Sequence, residues 1–111
     1  MVQYLACQPL EVSMKIRGME FNGLIVDLCA IGIAVETRFF VPCTSVALIT
    51  FTLLTRDKNN NNLFQKISAE GIVMNIAVLK KQGYRLGIQF TKMSLEDKAA
   101  MSGFIKQVPF D

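Results

Sequence analysis

Tyr84-Arg85-Leu86-Gly87-Ile88-Gln89-Phe90-Thr91 alternates apolar with polar positions along its whole length. A period of two puts Tyr84, Leu86, Ile88 and Phe90 on one face and Arg85, Gly87, Gln89 and Thr91 on the other, which is the pattern of a half-buried β-strand. The same pattern occurs near the start of the chain, where Leu10, Val12, Met14 and Ile16 alternate with Glu11, Ser13, Lys15 and Arg17. Pro9 is expected at the first residue of that strand, where a missing N–H does little harm. Between these two segments, further strands are predicted over 20–28, 31–37, 45–55 and 63–79. They are separated by Gly18-Met19-Glu20, by Cys29-Ala30, by the bulky connector Phe39-Phe40-Val41-Pro42, by the polar loop Arg56-Asp57-Lys58-Asn59-Asn60-Asn61-Asn62, and by Gln82-Gly83.

Two strands carry extra information. In the fourth, Val46 and Leu48 lie on one face and Ile49, Phe51 and Leu53 on the other, so it is expected to be covered on both sides. In the fifth, the apolar phase moves from Ile67 and Ala69 to Ile72, Met74, Ile76 and Val78, and this slip at Glu70-Gly71 predicts a β-bulge. After the sixth strand the period changes. Ser94 can cap a helix, with Asp97 as its reciprocal partner. Met101, Phe104, Ile105 and Val108 then form one apolar stripe at helical spacing, and Pro109 marks its end. Loops this short forbid parallel crossovers. The expectation is therefore an all-β sheet of six antiparallel strands closed into a small barrel, which removes exposed edges, with one C-terminal helix over an open end.

Composition bounds the function. The 111 residues suit one domain spanning 1–111, and 51% hydrophobic with 19% charged residues exclude a disordered chain. No apolar run reaches the roughly 20 residues of a membrane helix, and the N-terminus lacks a basic segment followed by an apolar signal region, so a cytoplasmic protein without membrane insertion is expected. Histidine is absent, which removes imidazole-based hydrolases and most zinc catalysis. The cysteines Cys7, Cys29 and Cys43 form no C-x-x-C pair; they are expected as packed thiols, with no metal site. The net charge of +3 is mild and, apart from Lys80-Lys81, unclustered, so no nucleic-acid stripe is present. No base or second carboxylate is fixed beside Asp27 by spacing, so no catalytic residues are assigned and a non-enzymatic role is expected.

One segment departs from ordinary strand chemistry. Asp27-Leu28-Cys29-Ala30-Ile31-Gly32 lies between Leu24-Ile25-Val26 and Ile33-Ala34-Val35 and places a carboxylate, a small polarisable side chain and a glycine at a strand–turn–strand junction. Such a junction can hold a ligand, because glycine lets another group approach the backbone. The two adjacent phenylalanines, Phe39 and Phe40, cannot both enter one core from an extended segment, so one is expected to be exposed as a partner contact.

The sequence resembles a PilZ domain from about Leu10 to Gln107. Ile25-Val26-Asp27-Leu28-Cys29-Ala30-Ile31-Gly32-Ile33 is similar to the family's Asp/Asn-x-Ser-x-x-Gly motif, Glu70-Gly71-Ile72-Val73 to its fifth strand, and Tyr84-Arg85-Leu86-Gly87-Ile88-Gln89-Phe90 to its last. The resemblance implies a six-stranded antiparallel Greek-key barrel with one C-terminal α-helix. It also implies a bacterial regulatory domain related to receptors for cyclic di-GMP, which control motility, adhesion or exopolysaccharide production through protein contacts. Asp27, Cys29 and Gly32 take the ligand-binding positions, with Arg85 a candidate phosphate contact and Phe39 and Phe40 candidate partner contacts. No cofactor is implied beyond cyclic di-GMP as ligand. The chain departs from the family twice. Cys29 replaces the serine, a weaker hydrogen-bond donor. The Arg-x-x-x-Arg motif before the first strand is missing, since Met1 to Pro9 contain no Arg or Lys. Weak or absent nucleotide affinity is therefore expected, with action through an unidentified protein partner. The alternative is a functional cyclic di-GMP effector whose arginines come from outside this segment.

Overall fold

The computed structural model describes residues 4–56 and 58–107, with side chains described over 10–54 and 58–105. Six strands precede one helix: β1 Tyr4–Ile16, β2 Met19–Cys29, β3 Gly32–Thr37, β4 Val46–Arg56, β5 Asn62–Val78, β6 Tyr84–Met93 and α1 Leu95–Gln107. All pairings are antiparallel, and the strand order β1-β2-β3-β6-β5-β4 closes because β4 returns to pair with β1. The first three strands are joined by hairpins and the fourth lies beside the first, which is a Greek key. The six predicted antiparallel strands, the closure and the C-terminal helix are all present.

Local chemistry explains the turns. Arg17 and Gly18 both have positive φ, 54° and 79°, and form the two-residue connection between β1 and β2 whose twist matches the flanking strands. Ala30 and Ile31 alone turn β2 into β3, with Cys29 paired to Gly32. Pro9 lies inside β1 rather than at its start. It is tolerated because the pairing of β1 with β2 is interrupted between Leu5 and Leu10, so no ladder hydrogen bond is lost there.

The inner faces supply one core. Val12, Met14, Ile25, Leu28, Val35, Ile49, Leu53, Ile67, Val73 and Leu86 are among its buried members, joined by Met101, Phe104 and Ile105 of the helix. The stripe predicted on α1 is thus the packed face, with Val108 and Pro109 outside the described residues. Ser94 caps the helix through its Oγ, which accepts a hydrogen bond from the Asp97 N–H at 3.1 Å. The Asp97 carboxylate does not complete the box. It accepts instead from the Ser68 N–H of β5 at 3.1 Å and ties the first turn of α1 to the sheet.

One further expectation fails and another holds in part. β4 is not covered on both sides: Ala47, Ile49, Phe51 and Leu53 face the core, while Val46 and Leu48 are about half exposed on the outside at 49% and 52%. The slip predicted at Glu70-Gly71 is half right: the β5–β6 ladder does shift register between these two residues, but the extra residue is on β6, and β5 itself continues its buried series Ile67, Ala69, Gly71, Val73. The irregularities in the β5–β6 ladder fall at Met74, the extra residue between Val73 and Asn75, and at Thr91, the extra residue on the β6 side. A bulge inserts an unpaired residue into either strand of a pair, so the sequence of β5 alone does not tell which strand carries it.

Candidate functional site

The motif residues converge on the outside of the barrel. In the β2–β3 ladder Val26 is an extra residue between the pairs Ile25–Val35 and Asp27–Ala34. This bulge resets the alternation just before Asp27, so that Leu28 stays buried and Asp27 lines the outer surface. Two rows of paired residues then cross four strands. One runs Asp27, Ala34, Gly87, Asn75; the other runs Cys29, Gly32, Gln89, Ile72. Ala34 and Gly87 in the middle of the first row and Gly32 in the second are small, while Gln89 and the flanking residues are larger. The result is an open groove of about 350 Å³, with Gly32, Ala34 and Gly87 in its lining, Asp27 and Cys29 on one side and Met74 and Asn75 on the other.

Asp27, Cys29 and Gly32 therefore share one surface, as their spacing suggested. Cys29 is a partly exposed free thiol. Gly32 is present for a reason internal to the fold: a β-carbon there would collide with the Ile88 carbonyl oxygen and stand 3.3 Å from the Gln89 α-carbon. The close approach that glycine permits is by strand β6.

Arg85 does not line the groove. It occupies the next row, paired with Glu36, and its Nη2 and Nε donate to Glu36 Oε2 at 2.7 Å and 3.2 Å. Phe39 and Phe40 lie at the other end of β3. Both, not one, are more than half exposed, at 53% and 63%, and each leans on an aromatic neighbour, Phe39 on Phe21 and Phe40 on Tyr84. Sequence reasoning missed Met74, Asn75, Gly87 and Gln89 as groove residues. Gly87 carried a signal, since a glycine on the polar face of an alternating strand marks a place where another group comes close; here it is the Asn75 amide. Among the described residues no group of three or more metal-ligating side chains assembles, and no helix is long and apolar enough to cross a membrane.

A closed antiparallel barrel with a helix after its last strand and a groove beside one hairpin defines a small β-barrel domain. No family model matches this sequence, and no curated protein matches it. Solved structures do. MotI/DgrA, the inhibitor of motility of Bacillus subtilis, superposes with a TM-score of 0.79 at 17% identity, over 96% of this chain and 48% of that one. The PilZ domain of CeSA from a cellulose-synthesizing bacterium gives 0.59 at 11% identity, over 94% of each. PlzA of Borreliella burgdorferi, solved in complex with c-di-GMP, gives 0.57 at 21% identity, over 87% of this chain and 33% of that one. The fold is that of PilZ domains. The chain spans about half the length of MotI/DgrA and a third of PlzA.

Proposed function

We propose that this chain is a non-enzymatic PilZ-type regulatory domain that works through protein contacts and whose own groove holds cyclic di-GMP weakly or not at all. The observation that carries the reading is the charge of the groove. Among the described residues its lining contains the carboxylate of Asp27 and no cation. Asp27 suits the N–H edge of a guanine. Two phosphodiesters need positive partners, and Arg85, one row away, is already engaged by Glu36. Each missing charge-assisted contact is worth about 1.5–3 kcal/mol, so two of them weaken binding by roughly two to four orders of magnitude. The exposed Phe39 and Phe40 support a protein-facing role for the opposite end of β3.

Isothermal titration of this chain with cyclic di-GMP tests the reading. A dissociation constant of about 100 μM or weaker is expected. Low-micromolar binding that disappears in Asp27→Ala would refute it. One observation favours the second reading, in which cations arrive from elsewhere. Tyr4 pairs with Leu28 and Leu5 with Asp27, so the N-terminal edge of β1 runs beside the groove, and a basic segment entering along that edge would meet the ligand. The same titration on a chain carrying such a segment separates the two.

A further inference from the structure

A second cavity adjoins the groove around its rim. It lies between the Ala30–Ile31 turn, β6 and the first half of α1, has a volume of about 340 Å³, and shares Ile31 and Gln89 with the groove. Its chemistry is the opposite of its neighbour's. Lys92 of β6 and Lys98 of α1 both line it, with the hydroxyl-bearing residues Thr91 and Ser102 beside them. Among the described residues no carboxylate lines it. Lys92 faces Glu70 across the β5–β6 ladder and shares a shallow hollow with it, yet among the described residues the sole ion pair is Glu36–Arg85, so neither lysine is held in an ion pair there. Asp97, next to Lys98 in the chain, is turned to the Ser68 N–H.

We propose that this cavity is a phosphate seat in which Lys92 and Lys98 bind the phosphate of a nucleotide whose base lies in the adjoining groove. Two lysines brought to one concavity by different elements, with the Ser102 hydroxyl alongside, suit a phosphate dianion; the Thr91 hydroxyl already donates to the Glu70 carbonyl at 3.1 Å. The join across Ile31 and Gln89 puts the anion-favouring cavity next to the carboxylate-bearing groove. Such a ligand is neutral and hydrogen-bonding at one end and anionic at the other. Lysine acts as a point charge on a flexible stem and lacks the bidentate grip of arginine, so the affinity is modest and falls with salt. Phosphate binding by the two lysines stands on the cavity alone; placement of the base rests on the groove reading above.

The test is an amide-resonance titration of the whole chain at low ionic strength, first with inorganic phosphate and then with guanosine monophosphate. Phosphate is expected to shift the amides of 91–93 and 98–102 saturably. Lys92→Gln combined with Lys98→Gln should weaken it at least about tenfold, while Lys80→Gln with Lys81→Gln should not. Guanosine monophosphate should bind more tightly than phosphate and also shift 27–32. Unchanged affinity in the Lys92/Lys98 variant, or equal loss in the Lys80/Lys81 variant, overturns the seat. Saturable phosphate binding with no added shift at 27–32 from the nucleotide keeps the seat and overturns the base placement. Both lysines are exposed, so the double variant should melt within about 2 °C of the wild-type chain, which separates lost binding from lost folding.

Discussion

Gly32 on β3 and Ile88 on β6 are packed so closely that the Ile88 carbonyl oxygen occupies the space a β-carbon on Gly32 would need. The contact is backbone against backbone, with the Gln89 α-carbon as a second neighbour at 3.3 Å. A glycine that motif reasoning assigns to a ligand is thus demanded by barrel closure.

Gly32→Ala should therefore destabilise the fold itself. No flexible side chain can swing aside, so β3 and β6 must separate locally, at a cost of about 1–3 kcal/mol. Chemical denaturation should show the midpoint falling with an unchanged slope, and thermal melting should drop by about 5–15 °C. A variant as stable as the wild-type chain would contradict this account of the glycine.

The strands were legible because their alternation is governed by one buried face: the patterns around Leu10–Ile16 and Tyr84–Phe90 coincide with β1 and β6. The motif was legible as a site because Asp27, Cys29 and Gly32 are close in sequence and a two-residue turn keeps them together. What was not legible depends on neighbours distant in the chain. Val46 and Leu48 are apolar yet face outward, and nothing in β4 alone tells an exposed valine from a buried one. The bulges at Val26 and Met74, and the choice of β6 rather than β5 to carry the one opposite Glu70-Gly71, are properties of a pair of strands, and the partners of Asp97 and Arg85 lie 29 and 49 residues away.

Asp97 has two duties at the start of α1, and they can be separated. Its N–H is capped by Ser94, and its carboxylate holds the Ser68 N–H. Ser94→Ala should cost about 0.5–2 kcal/mol through the cap. Asp97→Ala leaves the Ser94 cap intact and strips the Ser68 N–H of its partner, for a loss of about 1–2 kcal/mol. Hydrogen exchange distinguishes them: Asp97→Ala should speed exchange at the Ser68 amide, and Ser94→Ala should act first on the opening turn of the helix. Protection of Ser68 that survives Asp97→Ala would show the bond to be dispensable.

The Glu36–Arg85 pair crosses β3 to β6 with side chains 33% and 47% exposed. At that exposure, solvent and salt screen most of the attraction, so Glu36→Gln should cost less than about 1 kcal/mol at low salt and almost nothing near 1 M. Denaturation of both proteins at the two salt concentrations measures this directly. A salt-independent loss would mean that the pair acts through packing instead of charge.

Gly87 offers the contrast that separates fold from site. A β-carbon there would also meet an obstacle, but the obstacle is the side-chain amide of Asn75, not backbone. An exposed amide can rotate away, and alanine in a strand regains part of the entropy that glycine loses on folding. Gly87→Ala should therefore stay within about 0.5 kcal/mol of the wild-type stability. Its methyl group would nevertheless rise from the groove lining between Asp27 and Asn75, where a flat base must lie. The two glycines should thus respond in opposite ways: Gly32→Ala loses stability, and Gly87→Ala keeps stability and loses the shifts that a guanine nucleotide induces at 27–32. Nucleotide-induced shifts that persist unchanged in Gly87→Ala would mean that the ligand does not use this groove.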